Sequence, residues 1–560
     1  MNKRSRVEAC VAQSHGVVCQ VGVQVSQLAP DRLALPLRYG LLCLALLIAG
    51  CAVGPDFTKP EVPSAKAWLD MGDPRVKAER IDYRAWWQVF DDPVLNKLVQ
   101  TAYRQNLPLQ VAGLRILEAR AQLGIVTGRQ YPQFQQGRAG YSYTQISENA
   151  NPISTVPPEL ADQIVTGFET WDLGFDAIWE LDLWGKYRRG VESAEASLIA
   201  SVASYDDVLV SVTAEVANAY LATRTYQERL ELARQNVAVQ QRSLEITKVR
   251  FENGATTELD VRQAESLLRD TEALIPQLET GLRQTQNALS TLLGMPPSTL
   301  EGMLGGAPVI PKPPAEVAVG IPADLLRRRP DIRAAELEAA AQSAHIGVAK
   351  SDLYPSFTLT GSVGVQAEDI GQLFKGGSLV GFMGPAFRWN LFNYGRIRNN
   401  VRAQDARFQQ LVATYQNAVL KAYQEVEDAL VAFLRAQQQA DFLAKGVKAS
   451  QRSVDLALIQ YRDGVADYTR VLNTQQFLVT AQDRLTETRG NIVRNLVALY
   501  KALGGGWQFR EGKTFVPEST VQEMRQRTHW GKLLPPEQPA VELDPPPPAK
   551  AQPLLRQPVW

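Results

Sequence analysis

Residues 171–183 read WDLGFDAIWELDL. The odd positions Trp171, Leu173, Phe175, Ala177, Trp179, Leu181 and Leu183 are apolar, while Asp172, Asp176, Glu180 and Asp182 occupy even ones. A period of two describes a β-strand with one apolar and one acidic face. Such a strand fits a half-buried sheet in a soluble sandwich, and equally a barrel wall with lipid outside and water inside. The theme returns at Phe357, Leu359, Val363 and Val365, then at Met383, Phe387, Trp389 and Leu391. The spacing predicts two hairpins. In the first, strands near 131–145 and 168–184 flank a polar loop holding Asn151-Pro152 and Pro157-Pro158.

The recurrence is part of a longer duplication. Trp179, Leu181, Trp184, Gly185, Tyr205, Glu215, Ala219, Gly254, Val261 and Gly294 recur, identically or as a close substitute, 210 residues later as Trp389, Leu391, Tyr394, Gly395, Tyr415, Glu425, Ala429, Gly464, Val471 and Gly504. Upstream, Gly124 and Tyr131-Pro132 recur as Gly347 and Tyr354-Pro355 at an offset of 223, so the first copy carries thirteen extra residues between Pro132 and Trp179. One register held over such a length implies one architecture repeated. Residues 301–324, rich in Pro and Gly, read as the linker between copies, and beyond Gly506 the pattern stops. The final residues, with Pro545 to Pro548, read as an extended tail.

Each hairpin leads into a long helix. From Val191 to Asn253 there is neither Gly nor Pro, and Ala, Glu, Gln, Arg and Leu dominate. At about 1.5 Å per residue such a helix reaches on the order of 95 Å. Tyr205, Leu209, Val212, Val216 and Ala219 step by four and three, the spacing of coiled-coil packing. Arg396 to Lys445 behaves alike, and Phe251-Glu252-Asn253-Gly254 and Tyr461-Arg462-Asp463-Gly464 read as turns where the helices double back. Pro276, Gly281 and Gly490 lie in the returning helices, either as softened points or as plain solvent-facing positions.

Composition removes other classes. Lys plus Arg and Asp plus Glu number 59 each, which gives no basic bias toward nucleic acid. All four cysteines, Cys10, Cys19, Cys43 and Cys51, fall in the first 51 residues, and His15, His345 and His529 are far apart, so no metal site or disulfide framework is expected. No nucleophile motif or phosphate-binding loop points to an enzyme. The apolar run Tyr39–Gly50 is too short to span a bilayer, which takes about 20 residues, and it precedes Cys51 as a signal-peptide core would. Leu47-Ile48-Ala49-Gly50-Cys51 is similar to the bacterial lipobox, which implies cleavage before Cys51 and acylation of its thiol and amine, the only covalent group expected and no other cofactor. Cleavage there removes five of the 59 basic and two of the 59 acidic side chains, leaving 54 against 57. Residues 1–34 make a long preamble, which points to a true start downstream of Met1.

Four strands per chain cannot close a barrel, and an open sheet edge in lipid leaves backbone groups unsatisfied at several kcal/mol each. Small barrels begin at about eight strands, and a water-filled lumen needs more, so three chains giving twelve strands is the natural closure. A trimeric adhesin would also combine coiled coil with four strands per chain, but its strands would sit together at the C-terminus. A soluble periplasmic scaffold lipoprotein is the other alternative outside the class.

Several features together resemble the TolC-like outer-membrane factor family, in its NodT-like lipoprotein branch that serves resistance-nodulation-division pumps. They are the lipobox followed by Gly54-Pro55-Asp56-Phe57 with Pro60 and Pro63, the Asp176-to-Lys186 strand and glycine turn, Arg329-Pro330-Asp331-Ile332-Arg333 and both helical turns, covering roughly 51–506. The resemblance implies a mixed membrane α+β fold: a homotrimer with a twelve-stranded transmembrane barrel, a long periplasmic α-helical coiled-coil barrel and a small equatorial domain. The division is then signal peptide 1–50, lipidated N-terminal or equatorial segment 51–105, repeat 1 over 106–300, linker 301–324, repeat 2 over 325–506 and Pro-rich tail 507–560. The implied localisation is the Gram-negative outer membrane, lipid-anchored at Cys51. Implied partners are a periplasmic adaptor (membrane fusion) protein, an inner-membrane resistance-nodulation-division pump and outer-membrane lipid. The implied function is a passive, gated exit duct for drugs or other small molecules. A duct for protein secretion or metal efflux would share the tunnel, although six Met and three His argue against a metal relay.

By position, the family's periplasmic gate falls on Asp260 in copy one and on Tyr461, Asp463, Asp467, Arg470 and Asn473 in copy two. Relatives commonly carry aspartate where this chain has Asn473, with Asp467 the substitute for an acidic constriction. Neutralising Asp260 and Arg470 together is expected to loosen the closed state. Asp172, Asp176, Glu180 and Asp182, tripled by symmetry, are expected to line the barrel lumen and favour cations.

Overall fold

The computed structural model describes residues 52–62, 65–79, 82–147, 157 and 164–534. Its helices are α1 (Pro93–Gln105), α2 (Leu107–Gly128), α3 (Lys186–Glu252), α4 (Glu258–Leu292), α5 (Pro330–Ser351), α6 (Arg396–Arg462), α7 (Tyr468–Ala502) and α8 (Glu518–Arg527). Its strands are β1 (Val76–Lys77), β2 (Phe134–Gln145), β3 (Gly167–Leu181), β4 (Val317–Ala318), β5 (Ser356–Ala367) and β6 (Leu379–Arg388). The duplication is visible residue for residue: α2 and α5 are 22 residues each, α3 and α6 are 67, and α4 and α7 are 35. The long helix of copy one begins at Lys186, through Gly190, and that of copy two runs through Gly446 to Arg462, both beyond the uninterrupted stretches of the sequence.

β2, β3, β5 and β6 form one antiparallel sheet in that order, so the two hairpins sit side by side. Register places Leu173, Phe175, Trp179, Leu359, Val363, Met383 and Phe387 on one face, all exposed. Each long helix starts after a left-handed glycine, Gly185 (φ 76°) or Gly395 (φ 82°), and doubles back at Gly254 (φ 70°) or Gly464 (φ 73°). The turns close identically, with the amides of Ala255 and Val465 donating to the carbonyls of Arg250 and Gln460 at 2.8 and 2.9 Å. Gly281 and Gly490 are points of close approach, not solvent-facing positions. A Cβ on Gly281 would lie 2.4 Å from the Tyr226 ring, and one on Gly490 would lie 2.5 Å from Thr225. By length and composition α3 could cross a membrane, but part of its apolar stretch is core: Tyr205, Leu209, Val216 and Tyr220 are buried.

The largest core gathers where the copies meet. Trp68, Trp86, Trp87 and Phe90 from the N-terminal segment pack there with Tyr220, Phe433, Leu434 and Tyr500, and β1 pairs with β4 of the linker in parallel. Both copies tie the start of the short helix to the end of the returning helix. Asn106 donates to the Leu292 carbonyl at 2.9 Å, and at the equivalent place Arg329 donates to the Ala502 carbonyl at 2.9 Å. Arg329 also grips Asp331 through two nitrogens (3.0 and 2.8 Å) and Glu425 (2.6 Å).

Asp207 of α3 faces this joint in a polar cleft with Arg329, Asp331, Glu425 and Lys501. Burial, reinforced by the neighbouring Asp331 charge, pushes its carboxyl up to about 6 despite Arg329 and Lys501. A carboxyl raised above its unfolded value opposes folding when ionised, so its contribution worsens as pH rises from about 4 through 6. Asp207→Asn is therefore expected to raise stability at pH 7.5 by ~1–3 kcal/mol and to leave it unchanged near pH 4. Parallel denaturation curves of the two proteins across that range provide the measurement. A constant offset at every pH would contradict the assignment.

The segment after Gly506 corrects the expectation of an extended tail from 507. As far as Leu534 it is folded: Val516, Val521, Met524 and Leu534 pack on Leu117 of α2. Trp507 donates to the Arg328 carbonyl (3.1 Å), and Arg510 pairs with buried Asp206 (Nη2 to Oδ2 2.7 Å). The physical reason is that a few single anchors dock on a surface the rest of the chain has already built, and this leaves no periodic pattern. The proline run 545–548 lies outside the described residues, as do the 1–50 segment, Cys51 and the loop prolines except Pro157.

Candidate functional sites

The helical turns come together. Leu244, Val261, Ala264 and Leu268 from the first hairpin bury against Ala457, Tyr461, Tyr468 and Val471 from the second. Tyr461 is buried and meets Tyr468 edge-on at 5.4 Å. Asp467 caps α7, accepting from the Arg470 amide at 3.2 Å, and Arg470 donates to Gln460 at 3.2 Å. Asp260 accepts from the Thr256 hydroxyl. Burial, then the Tyr461 neighbour, with a smaller contribution from the Asp260 charge, pushes the Tyr468 phenol up to about 12. Asp463 and Asn473 are exposed.

Asp260 and Arg470, expected to help hold the closed state, each have a side-chain partner within their own hairpin. At the turns Arg250 crosses between hairpins, as Gln475 does by donating to the Ser243 hydroxyl at 2.9 Å, and sequence reasoning missed both. The Arg250 guanidinium donates to the carbonyls of Tyr461 (2.8 Å) and Arg462 (3.3 Å) and lies 4.5 Å over the Tyr461 ring. A basic residue in the last turn of α3 was the available signal, but its target is backbone and leaves no mark in sequence.

On the sheet, Asp172, Asp176 and Glu180 pair with Gln366, Ser362 and Thr358, which sets them all on the face opposite the apolar one. Arg138 of β2 lies between two of them, 3.4 Å from both Asp172 and Asp176, and offsets their charge. Ile178 and Phe382 share this face through Thr360 and Ser362, so it is mixed in character. Asp182, expected among the lumen acids, lies past the end of β3. It accepts from the Arg188 amide (2.9 Å) and guanidinium (3.3 Å), because the unpaired N–H groups at the start of α3 need an acceptor there.

Cys51 lies outside the described residues, but the chain directly after it is fixed. The Val53 amide donates to the Trp184 carbonyl at 3.0 Å, and Ala52 packs on Gly185 so closely that a Cβ there would lie 2.8 Å away. Asp56 then pairs with Arg189 at 2.6 Å. The described chain therefore begins, at Ala52 and Val53, against the junction of sheet and helices.

The sequence profile described as "Outer membrane efflux protein" matches residues 98–295 and 321–505, one segment in each copy. Nodulation protein T of Rhizobium leguminosarum bv. viciae is 31% identical over 471 residues, covering 84% of this chain and 94% of that one. Toluene efflux pump outer membrane protein TtgF of Pseudomonas putida is 32% identical over 480 residues, covering 84% and 97%. The solved structure of the outer-membrane channel OprN superposes with a TM-score of 0.75 at 32% identity, covering 82% of this chain and 100% of that one.

Proposed function

The chain belongs to the outer membrane efflux protein family, and on that premise we propose that three copies close a twelve-stranded barrel and a helical tunnel that pass small organic molecules out of the cell. The supporting observation is a ring left open. The sheet β2–β3–β5–β6 has two unpaired edges, and α3 packs along both α4 and α7, whereas among the described long helices α6 packs along α7 alone and touches α3 only near the turn, through Arg250. In lipid those edges need partners, and copies of the same chain supply them without a new surface.

The toluene carried by TtgF suggests apolar organic cargo. The duct itself does no chemistry: an inner-membrane resistance-nodulation-division pump supplies the energy, and a periplasmic adaptor joins the two. Acylation at Cys51 sets the anchor at the level where Ala52 and Val53 meet Trp184 and Gly185. Asp260, Tyr461, Asp463, Asp467, Arg470 and Asn473 make the periplasmic gate region, and the small excess of Asp172, Asp176 and Glu180 over Arg138 and Arg388, which shares their face through Ser356, gives a modest cation preference.

The test is planar-bilayer conductance of the purified protein with its mass measured in the same detergent. A trimer with small, mostly closed conductance and a cation-selective reversal potential is the expected result. A monomer without conductance would overturn the duct, and anion selectivity would overturn the lumen assignment.

A further inference from the structure

We infer that the exposed start of α6 receives the α2 end of a second copy of this chain, with Tyr394 of one copy stacked on Tyr131 of the next. This rests on the reading of the protein as a closed ring of copies. Inside the chain, the same joint is already made between the copies of the repeat. Trp184 stacks on Tyr354 with centroids 4.7 Å apart and planes at 24°. Its indole N–H donates to the Pro355 carbonyl at 2.7 Å, and Lys186 pairs with Asp352 at 2.9 Å.

Moving each side by its own repeat offset turns this set into Tyr394 and Arg396 against Tyr131, Pro132 and Arg129. The backbones flanking the two places match, although Tyr394 itself is left-handed (φ 48°) and Trp184 is not. Gly185 and Gly395 share the left-handed conformation ahead of helices of equal length, and α2 and α5 end directly before Arg129 and Asp352. Helix α2 packs on α3, α3 on α5 and α5 on α6, but no comparable packing joins α6 to α2 among the described residues. Tyr394 accordingly stands 102% exposed and Tyr131 64% exposed, each the counterpart of a ring that is stacked within the chain. The fourth joint of the series needs α2 from another copy.

The chemistry of the joint differs between its two kinds. Within the chain Lys186 meets a carboxylate, whereas the counterpart brings Arg396 toward Arg129, two cations. The joint between copies keeps the aromatic stack and loses the ion pair, so it is the weaker of the two around the ring.

The test uses the full-length chain with Tyr131→Cys and Tyr394→Cys together, treated with a short bismaleimide. Each single variant and the pair Trp184→Cys with Tyr354→Cys serve as controls. Covalent dimers and trimers from the first pair alone, with the second pair linking only within a chain, are expected. A trimer of normal mass in which the control pair reacts and the first pair does not would overturn the inference while leaving the duct standing. A wild-type monomer in detergent would overturn both. As a second measurement on chains that keep both tyrosines, Arg396→Asp should raise the temperature at which trimers dissociate in mild SDS, and most of that gain should vanish in an Arg129→Ala background. No gain, or an equal gain in both backgrounds, would count against the pairing.

Discussion

Arg329→Ala is expected to destabilise the chain by about 2–4 kcal/mol, more than truncation of Asn106 at the equivalent joint of the first copy. The side chain is 10% exposed and satisfies three partners at once: Asp331 through two nitrogens, Glu425, and the Ala502 carbonyl. Burial disfavours its charge, but the two carboxylates outweigh that and hold it protonated. Truncation leaves the Ala502 carbonyl without its donor and strands Asp331 beside Asp207 with only Lys501 to offset them. Glu425 is about half exposed and water will solvate it, which keeps the expected cost in the lower part of the range for a broken buried pair. Arg329→Lys restores a charge but not the planar fork, so it should recover less than half of the loss. Asn106→Ala, at the equivalent joint of the first copy, removes one neutral hydrogen bond and a helix cap and should cost about 1 kcal/mol. Equilibrium denaturation of the three variants gives the order. A cost below that of Asn106→Ala would show that Arg329 is not what holds the joint.

The parts of this fold that were legible in the sequence are those with a period. Alternation from Trp171 to Leu183 gave the strand and its two faces, and offsets of 210 and 223 gave the repeat, because symmetry forces the same residue types into the same places. Four elements were not legible, each for a definite reason. The folded segment from Trp507 to Leu534 relies on isolated anchors whose meaning depends on Leu117 and Asp206, hundreds of residues away. Gly281 and Gly490 look like weak points in helices until Tyr226 and Thr225 are seen to occupy the space of a side chain. Asp182 continues the acidic alternation perfectly, yet the strand ends one residue earlier, and helix-start amides claim it. At the turns, position identified a group of polar residues, but not that Asp260 and Arg470 each have a partner in their own hairpin.

That last difference moves the expected lock of the closed state to Arg250. Arg250→Ala should raise the open probability of the reconstituted channel on the order of tenfold to a hundredfold, which corresponds to about 1.4–2.8 kcal/mol at a factor of ten per 1.4 kcal/mol. The interaction to be lost fits that size. A cation donating to two carbonyls at the C-terminal end of α6 is favoured by the helix dipole, and the face of Tyr461 at 4.5 Å adds a cation–π contribution. The apolar packing around it, Leu244 and Val261 against Ala457 and Val471, stays in place, so the turns should remain folded while their mutual hold weakens. Tyr461→Leu keeps the burial and the backbone acceptors but removes the ring, and it should give a smaller increase than Arg250→Ala. Arg250→Lys retains one donor and should lie between the wild type and Arg250→Ala. Single-channel recordings on trimers of verified mass would decide the matter. Unchanged open probability in Arg250→Ala would mean that the hairpins are held by their apolar contacts with the Gln475–Ser243 and Arg229–Asp483 bonds, or that the lock lies between chains.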